Sequence, residues 1–274
     1  MLEKLNPADK AYFDIIDAVI NYGEEHKDRT GVGTKRLFGH IVRFDLMESF
    51  PIITCKKASF ENTLAELLWF ISGSTNVNDL VKIRPQAEKW WRPFELNDSG
   101  DLGPMYGRQL TNFNGQKINQ FHTVINKLKT DKTSRRILMT AYNPAEADQG
   151  ALYPCHNLAT NFMVDNNNRL HMITHQRSND LALGTPANWT SYALLQVMLC
   201  ILCDLVPGVL TYYMDDIHIY SNHIDALKNM QRKSYSTPQL EIQDGIKNIE
   251  DFTMNHFKLL NYKSGPLIKL PMAI

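Results

Sequence analysis

The stretch "TSYALLQVMLCILCDL", Thr190 to Leu205, carries one charged residue, Asp204, and would be apolar on every face of a helix. A helix of that composition is stable only inside a protein. "VPG" ends it. A second stretch, "SFENTLAELLWFISGS", is also apolar on most faces. Ser59 is placed to cap it, and Gly73 lies past its end. Interior helices need other layers around them, and the chain offers strand-like runs at "KRLFGHIVRFDL", "RRILMTAYN", "NLATNFMVD", "RLHMITHQRS" and "VLTYYMDDIHIY". "NNN" between two of them is a hairpin signal. Helical spacing recurs in "PADKAYFDIIDAVINYGEE", with Asp9 as its cap, in "INQFHTVINKLKTD" and in "NHIDALKNMQRK". Strands and helices mix without strict βαβ alternation. The expectation is an α+β fold with a mostly buried sheet, in one domain over residues 1–274. Residues 84–107 contain Pro85, Pro93 and Pro104 and read as an irregular, aromatic and charged functional loop.

Lys plus Arg equals Asp plus Glu, at 29 each, which argues against a general nucleic-acid binder. No apolar run is expected to cross a bilayer, and "MLEKLNPADK" has no signal-peptide core. Four cysteines are too sparse for a disulfide scaffold. These features predict a cytoplasmic protein of a reducing compartment, with no membrane or nucleic-acid partner.

Cys200 and Cys203 form a C-x-x-C inside the apolar helix with no second pair nearby, so they read as core cysteines and no metal is expected. "SRR" (134–136) and "QRS" (176–178) each place arginine beside a hydroxyl, a combination suited to phosphate oxygens as well as to surface ion pairs. "DRTGVGT" adds Arg29 in a glycine-containing loop. "LYPCHNLATNF" holds Cys155. Alone it fits either a nucleophile or a small buried hydrophobe. Neighbours on a strand point to opposite faces, so His156 need not be its base. Nearby arginines would lower its thiol pKa, and with those motifs the nucleophile reading is favoured.

Those stretches, with "FPIITCKK", "ELLWFISGSTN", "GDLGPMYGRQ", "LGTPANWTSYALL", "IHIYSNH" and "PLIKLPMAI" in order, resemble the thymidylate synthase family over nearly the whole chain. The resemblance implies a sandwich of twisted sheet and helices, assembled as a homodimer. It implies a one-carbon transferase that takes dUMP and 5,10-methylenetetrahydrofolate. Cys155 would add to C6 of the pyrimidine. Glu66 would organise water and protons, and Tyr106 would help remove the C5 proton. Arg29, Arg177 and Ser178 would hold the 5′-phosphate, with Arg135 and Arg136 arriving from the other subunit. His218 and Tyr220 would bind the 3′-hydroxyl. Asn188 would read the base, favouring uracil over cytosine. Asp180, Trp91, Leu183, Gly184, Ala187 and the tail with Met272 and Ala273 would contact the folate.

The chain departs from the usual family pattern at Tyr153 (proline), Thr160 (glutamine), His175 (tyrosine), Ala187 (phenylalanine), Trp189 (isoleucine) and Thr190 (alanine). Asn179 matches related viral nucleotide hydroxymethylases. These changes are expected to crowd around the cysteine and the folate. Loss of the phenylalanine would open space there, unless Trp189 refills it. His175 and Thr160 would order a water, favouring a 5-hydroxymethyl-dUMP product over dTMP and dihydrofolate. An inactive nucleotide-binding dimer is the reading from another class, and retention of Cys155, Glu66 and Tyr106 argues against it.

Overall fold

The computed structural model describes residues 5–273. Met1–Lys4, part of the polar N-terminal stretch, and Ile274, the end of the tail motif, lie outside the described residues. In chain order the elements are α1 (Pro7–Tyr22), β1 (Glu24–His26), β2 (Thr34–Asp45), α2 (Phe60–Ile71), α3 (Val77–Ile83), α4 (Glu88–Trp91), α5 (Tyr106–Thr111), α6 (Gln120–Thr130), β3 (Leu138–Met139), β4 (Thr160–Val164), β5 (Arg169–Asp180), α7 (Gly184–Cys203), β6 (Val206–Tyr220), α8 (Ile224–Lys228), β7 (Gln239–Ile242) and β8 (Phe257–Leu260). The fold is α+β. A six-stranded sheet runs β1-β2-β6-β5-β4-β3, and β7 and β8 form a separate pair.

Every pairing in the large sheet is antiparallel except β5 with β6. Parallel neighbours need a long crossover, and α7 is that crossover. It packs on β5 and β6 and against α2, which explains its all-round apolarity. By length and composition alone α7 is long and apolar enough to cross a membrane, although no run was expected to be, and most of it is buried inside this fold. The β5 register shifts between Leu170 and Met172, where Gly208 of β6 comes close enough that a Cβ would sit 2.5 Å from the Leu170 carbonyl oxygen.

The helices cover one face of the sheet. The other leaves Phe38, Ile41, Leu138, Met163, Ile173 and Tyr213 exposed, Phe38 by 81%. Ile41, Tyr213 and His175 are side by side across β2, β6 and β5.

Four local expectations change. Asn6, not Asp9, caps α1, accepting from the Asp9 backbone N–H at 2.8 Å. Asp9 is instead fully buried. Its carboxylate accepts from the backbone N–H groups of Thr54 (2.7 Å) and Cys55 (3.0 Å), the Thr54 hydroxyl (2.6 Å), the Ser234 hydroxyl (2.7 Å) and the Asn6 amide (2.9 Å). Second, "RRILMTAYN" yields only two strand residues. The Gln120 side chain donates to the Thr140 carbonyl (2.7 Å) and accepts from its N–H (2.8 Å), standing in for a strand partner. Third, "NHIDALKNMQRK" shortens to α8, after which Ser234 and the Tyr235 N–H are drawn to Asp9 and Thr54. Fourth, of the expected irregular stretch, residues 85–94 form a chain of short helical turns around α4, and 95–105 are irregular as expected.

Because Asp9 ties α1, the 54–55 segment and the 234–235 segment together, Asp9→Ala should lower the unfolding free energy by roughly 3 kcal/mol in urea titrations. A loss under about 1 kcal/mol would mean that these hydrogen bonds contribute little net stability.

Candidate active site

Cys155 lies in the loop before β4, and β5 holds it in place. Its carbonyl accepts the backbone N–H of Arg177 at 2.7 Å and that of Ser178 at 3.4 Å. Tyr106, in the first turn of α5, reaches it from the other side. The Cys155 N–H donates to the Tyr106 hydroxyl at 3.0 Å, and that hydroxyl is 3.1 Å from the thiol sulfur. With a lone pair committed to the N–H, the phenolic proton is free to point at sulfur. The net effect on the thiol is the reverse of the sequence expectation. Burial pushes the Cys155 pKa up and outweighs the Tyr106 hydrogen bond and the Arg177 charge, which pull it down.

His156 is not the base. Its ring stacks on that of Tyr106, with centroids 4.2 Å apart and planes 4° from parallel. Its Nδ1 meets the Tyr192 hydroxyl at 2.8 Å. Burial lowers its pKa to about 3, so it remains neutral at physiological pH.

Glu66, on α2, accepts a 2.6 Å hydrogen bond from the Trp91 indole. Burial raises its carboxyl pKa to about 7, against the opposing pull of that bond. Glu66 and Trp91 both border a cleft of about 380 Å³. Leu183, Pro186 and Ala187 of the α7 start, Trp90, and tail residues Leu267 and Ile268 supply much of its apolar wall. Lys56, Lys57, Arg84 and Lys89 surround it with positive charge, and Glu61 also lines it. Aromatic and aliphatic lining residues together with basic ones suit a planar ring carrying an anionic tail, and the residues present thus fit a folate.

The sequence reading missed those four cations and Trp90. Lys56 and Lys57 lay in a quoted motif, but nothing in their spacing pointed to a pocket. Asp180, Gly184, Met272 and Ala273 are not among the lining residues. The Asp180 carboxylate instead accepts from the backbone N–H groups of Ala182 (3.0 Å) and Leu183 (3.3 Å), fixing the turn into α7. Met272 and Ala273 follow Pro271, whose carbonyl accepts from His223 at 2.7 Å.

Asn188 donates from its amide to the Gln176 side-chain oxygen at 3.1 Å. The Tyr212 hydroxyl donates to that oxygen too, and the Gln176 amide donates to the Ser178 carbonyl at 2.7 Å. His218 meets Asp216 at 2.9 Å, and Asp216 pairs with Arg36. Burial lowers the His218 pKa. Tyr220 lies edge-on to His218, with centroids 5.3 Å apart. Exposed Arg29 sits on the loop whose Gly33 carbonyl accepts from Ser221 at 3.0 Å, just past Tyr220. Arg135 and Arg136 are exposed before β3, and among the described residues neither side chain bonds to the Cys155 group.

The departures do not crowd around the folate as expected. His175 sits on the bare sheet face, 2.7 Å from Asp215, because odd-numbered β5 positions from 169 to 177 point away from the helices. Thr160 is buried between Asn157 and Thr174 at 2.7 Å from each. Tyr153 is 41% exposed. Buried Asn179 donates to the carbonyls of Gln176 and Asp216, at 3.2 Å each. Trp189 packs on Phe44 with centroids 5.1 Å apart, away from the cleft. Ala187 and Thr190 do line it.

A family model described as thymidylate synthase matches residues 10–274. The chain belongs to the thymidylate synthase family. It is accordingly a one-carbon transferase that acts at C5 of dUMP with methylenetetrahydrofolate as co-substrate.

Iodoacetamide at mildly alkaline pH should label Cys155, which is half-buried, ahead of Cys55, Cys200 and Cys203, which are buried. Tyr106→Phe removes the hydroxyl donor, so the labelling midpoint should move to higher pH and the rate should fall several-fold. Mass mapping checks both. An unchanged pH profile would mean that the hydroxyl does not stabilise the thiolate.

Proposed function

We propose that the enzyme is a dUMP hydroxymethylase working through a covalent Cys155 adduct. The Cys155 thiolate adds to C6, and the Tyr106 hydroxyl stabilises the thiolate before addition and after release. Addition makes C5 nucleophilic, splitting one hard step into easier ones. The folate supplies a one-carbon unit at the formaldehyde oxidation level. Loss of the C5 proton, assisted from the Tyr106 side, and departure of tetrahydrofolate leave an exocyclic methylene on C5. Water then adds its hydroxide to that carbon, its proton passes to solvent or to the Glu66 carboxylate, and the Cys155–C6 bond breaks to return the thiolate. A carboxyl with a pKa of about 7 can give or take that proton at neutral pH.

The same reading assigns Arg177, Ser178 and Arg29 to the 5′-phosphate, His218 and Tyr220 to the 3′-hydroxyl and Asn188 to the base. Gln176 supports the Asn188 role. Its oxygen already accepts two hydrogen bonds, so one Asn188 N–H and its carbonyl remain for uracil.

The observation that carries hydration over reduction is Ala187. It lines the cleft, and Trp189 turns away onto Phe44 instead of refilling the space of the usual phenylalanine. Ala187 and Glu66 line the same cleft, whose volume of about 380 Å³ has room for a water. His175 and Thr160 no longer support this reading. Turnover in ¹⁸O-labelled water should give labelled 5-hydroxymethyl-dUMP and tetrahydrofolate, read by mass spectrometry, and Ala187→Phe should lower the hydroxymethyl yield. An unlabelled methyl product with stoichiometric dihydrofolate would make the enzyme a synthase of dTMP.

We also infer a homodimer with shared sites. The bare apolar sheet face and the exposed Arg135 and Arg136 beside it support that assembly. Arg136→Ala and Cys155→Ala subunits, each inactive alone, should regain activity when mixed, because one heterodimeric site keeps both groups. Absence of recovery with subunit exchange confirmed overturns the shared site.

A further inference from the structure

Tyr153 stands where the family usually has proline, two residues before Cys155. The Cζ of Arg177 lies over its ring, 5.0 Å from the centroid. The other contacts of that guanidinium are long. Nε reaches the Pro154 carbonyl at 3.3 Å and an Nη the Tyr153 carbonyl at 3.5 Å, near the outer limit for a hydrogen bond. No carboxylate is among its hydrogen-bond partners in the described residues. The aromatic face is therefore the main restraint on the Arg177 head group.

The ring is itself anchored. The Tyr153 hydroxyl meets that of Tyr142 at 3.1 Å, and the two rings are 6.1 Å apart. The Tyr142 N–H donates to the Thr140 hydroxyl at 3.1 Å, and Gln120 of α6 clamps the Thr140 backbone. Tyr153 also precedes Pro154, which restricts it to extended backbone and fixes where its ring starts. A line of contacts thus runs from α6 through two tyrosines to the guanidinium beside Cys155.

We propose that Tyr153 is a positioning residue for the anion site, acting through Arg177. A guanidinium held against an aromatic face keeps its N–H edges outward, in the planar arrangement that grips a phosphate monoester by two parallel hydrogen bonds. The ring takes over from proline the task of limiting motion there, and it adds attraction for the cation. The inference rests on Arg177 as a holder of the 5′-phosphate.

The test compares equilibrium binding of dUMP and of deoxyuridine, which lacks the phosphate, to the full-length protein. Tyr153→Ala should weaken dUMP roughly fivefold and leave deoxyuridine unchanged. Tyr153→Phe, which keeps the ring face but loses the Tyr142 hydroxyl contact, should fall between the parent and Tyr153→Ala. With Arg177→Ala already present, Tyr153→Ala should add nothing, since the two changes remove one interaction. Equal weakening of both ligands by Tyr153→Ala, or full additivity with Arg177→Ala, overturns the inference while leaving Arg177 in place. Arg177→Ala weakening both ligands alike shows instead that the phosphate reading of Arg177 is wrong, and the inference falls with it.

Discussion

The parallel pairing of β5 with β6 is the constraint on which the rest of the molecule depends. Two strands running the same way bring their C-terminal ends to one end of the sheet. Ser178 is paired with Asp216 and Asp180 with His218 in that register, so the anion-binding and hydroxyl-binding candidates share that end. A one-residue slip would turn every side chain to the other face. The same pairing demands the crossover α7, whose first turns carry Ala187 and Asn188 and whose remainder fills the core. Core and site are therefore two ends of one element.

Burial dominates the electrostatics around Cys155. It raises the thiol and Glu66 and depresses His156, so in each case it favours the uncharged form. The Tyr106 hydroxyl, the Arg177 charge and a backbone N–H oppose it at the thiol, without overcoming it. The site thus rests largely neutral, and the free-energy cost of forming a thiolate depends on a few local donors. Glu66, with its pKa near neutrality, is the group best suited to exchange a proton.

The long elements were legible in the sequence because burial dictates their composition. α2 and α7 follow from nearly all-round apolarity, α6 from helical spacing and β2 and β6 from strand-like composition, while Cys155, Tyr106 and Glu66 came from motifs. What was illegible depends on contacts distant in sequence. Nothing local in "RRILMTAYN" shows that a glutamine side chain from α6 will occupy Thr140. Nothing in "PADK" tells a capping aspartate from a buried one that awaits Thr54 and Ser234. His175, a departure from the family pattern, is expected beside the cysteine and the folate, but strand alternation sends it to the opposite face from Gln176. Strand parity was available from the sequence, whereas knowledge of which face carried the helices was not.

The cations around the cleft bear on kinetics as well as on fit. Lys56, Lys57, Arg84 and Lys89 form a local positive field on a chain whose net formal charge is zero. Such a field acts on an anionic ligand before contact, raising the frequency of encounters, and it is screened within about 10 Å at 0.1 M salt. Added salt should therefore slow the arrival of an anionic ligand much more than it hastens departure, since departure is governed by the aromatic and aliphatic walls. Capture and residence thus rest on different chemistry, the first on the cations of the lining and the second on its apolar side chains.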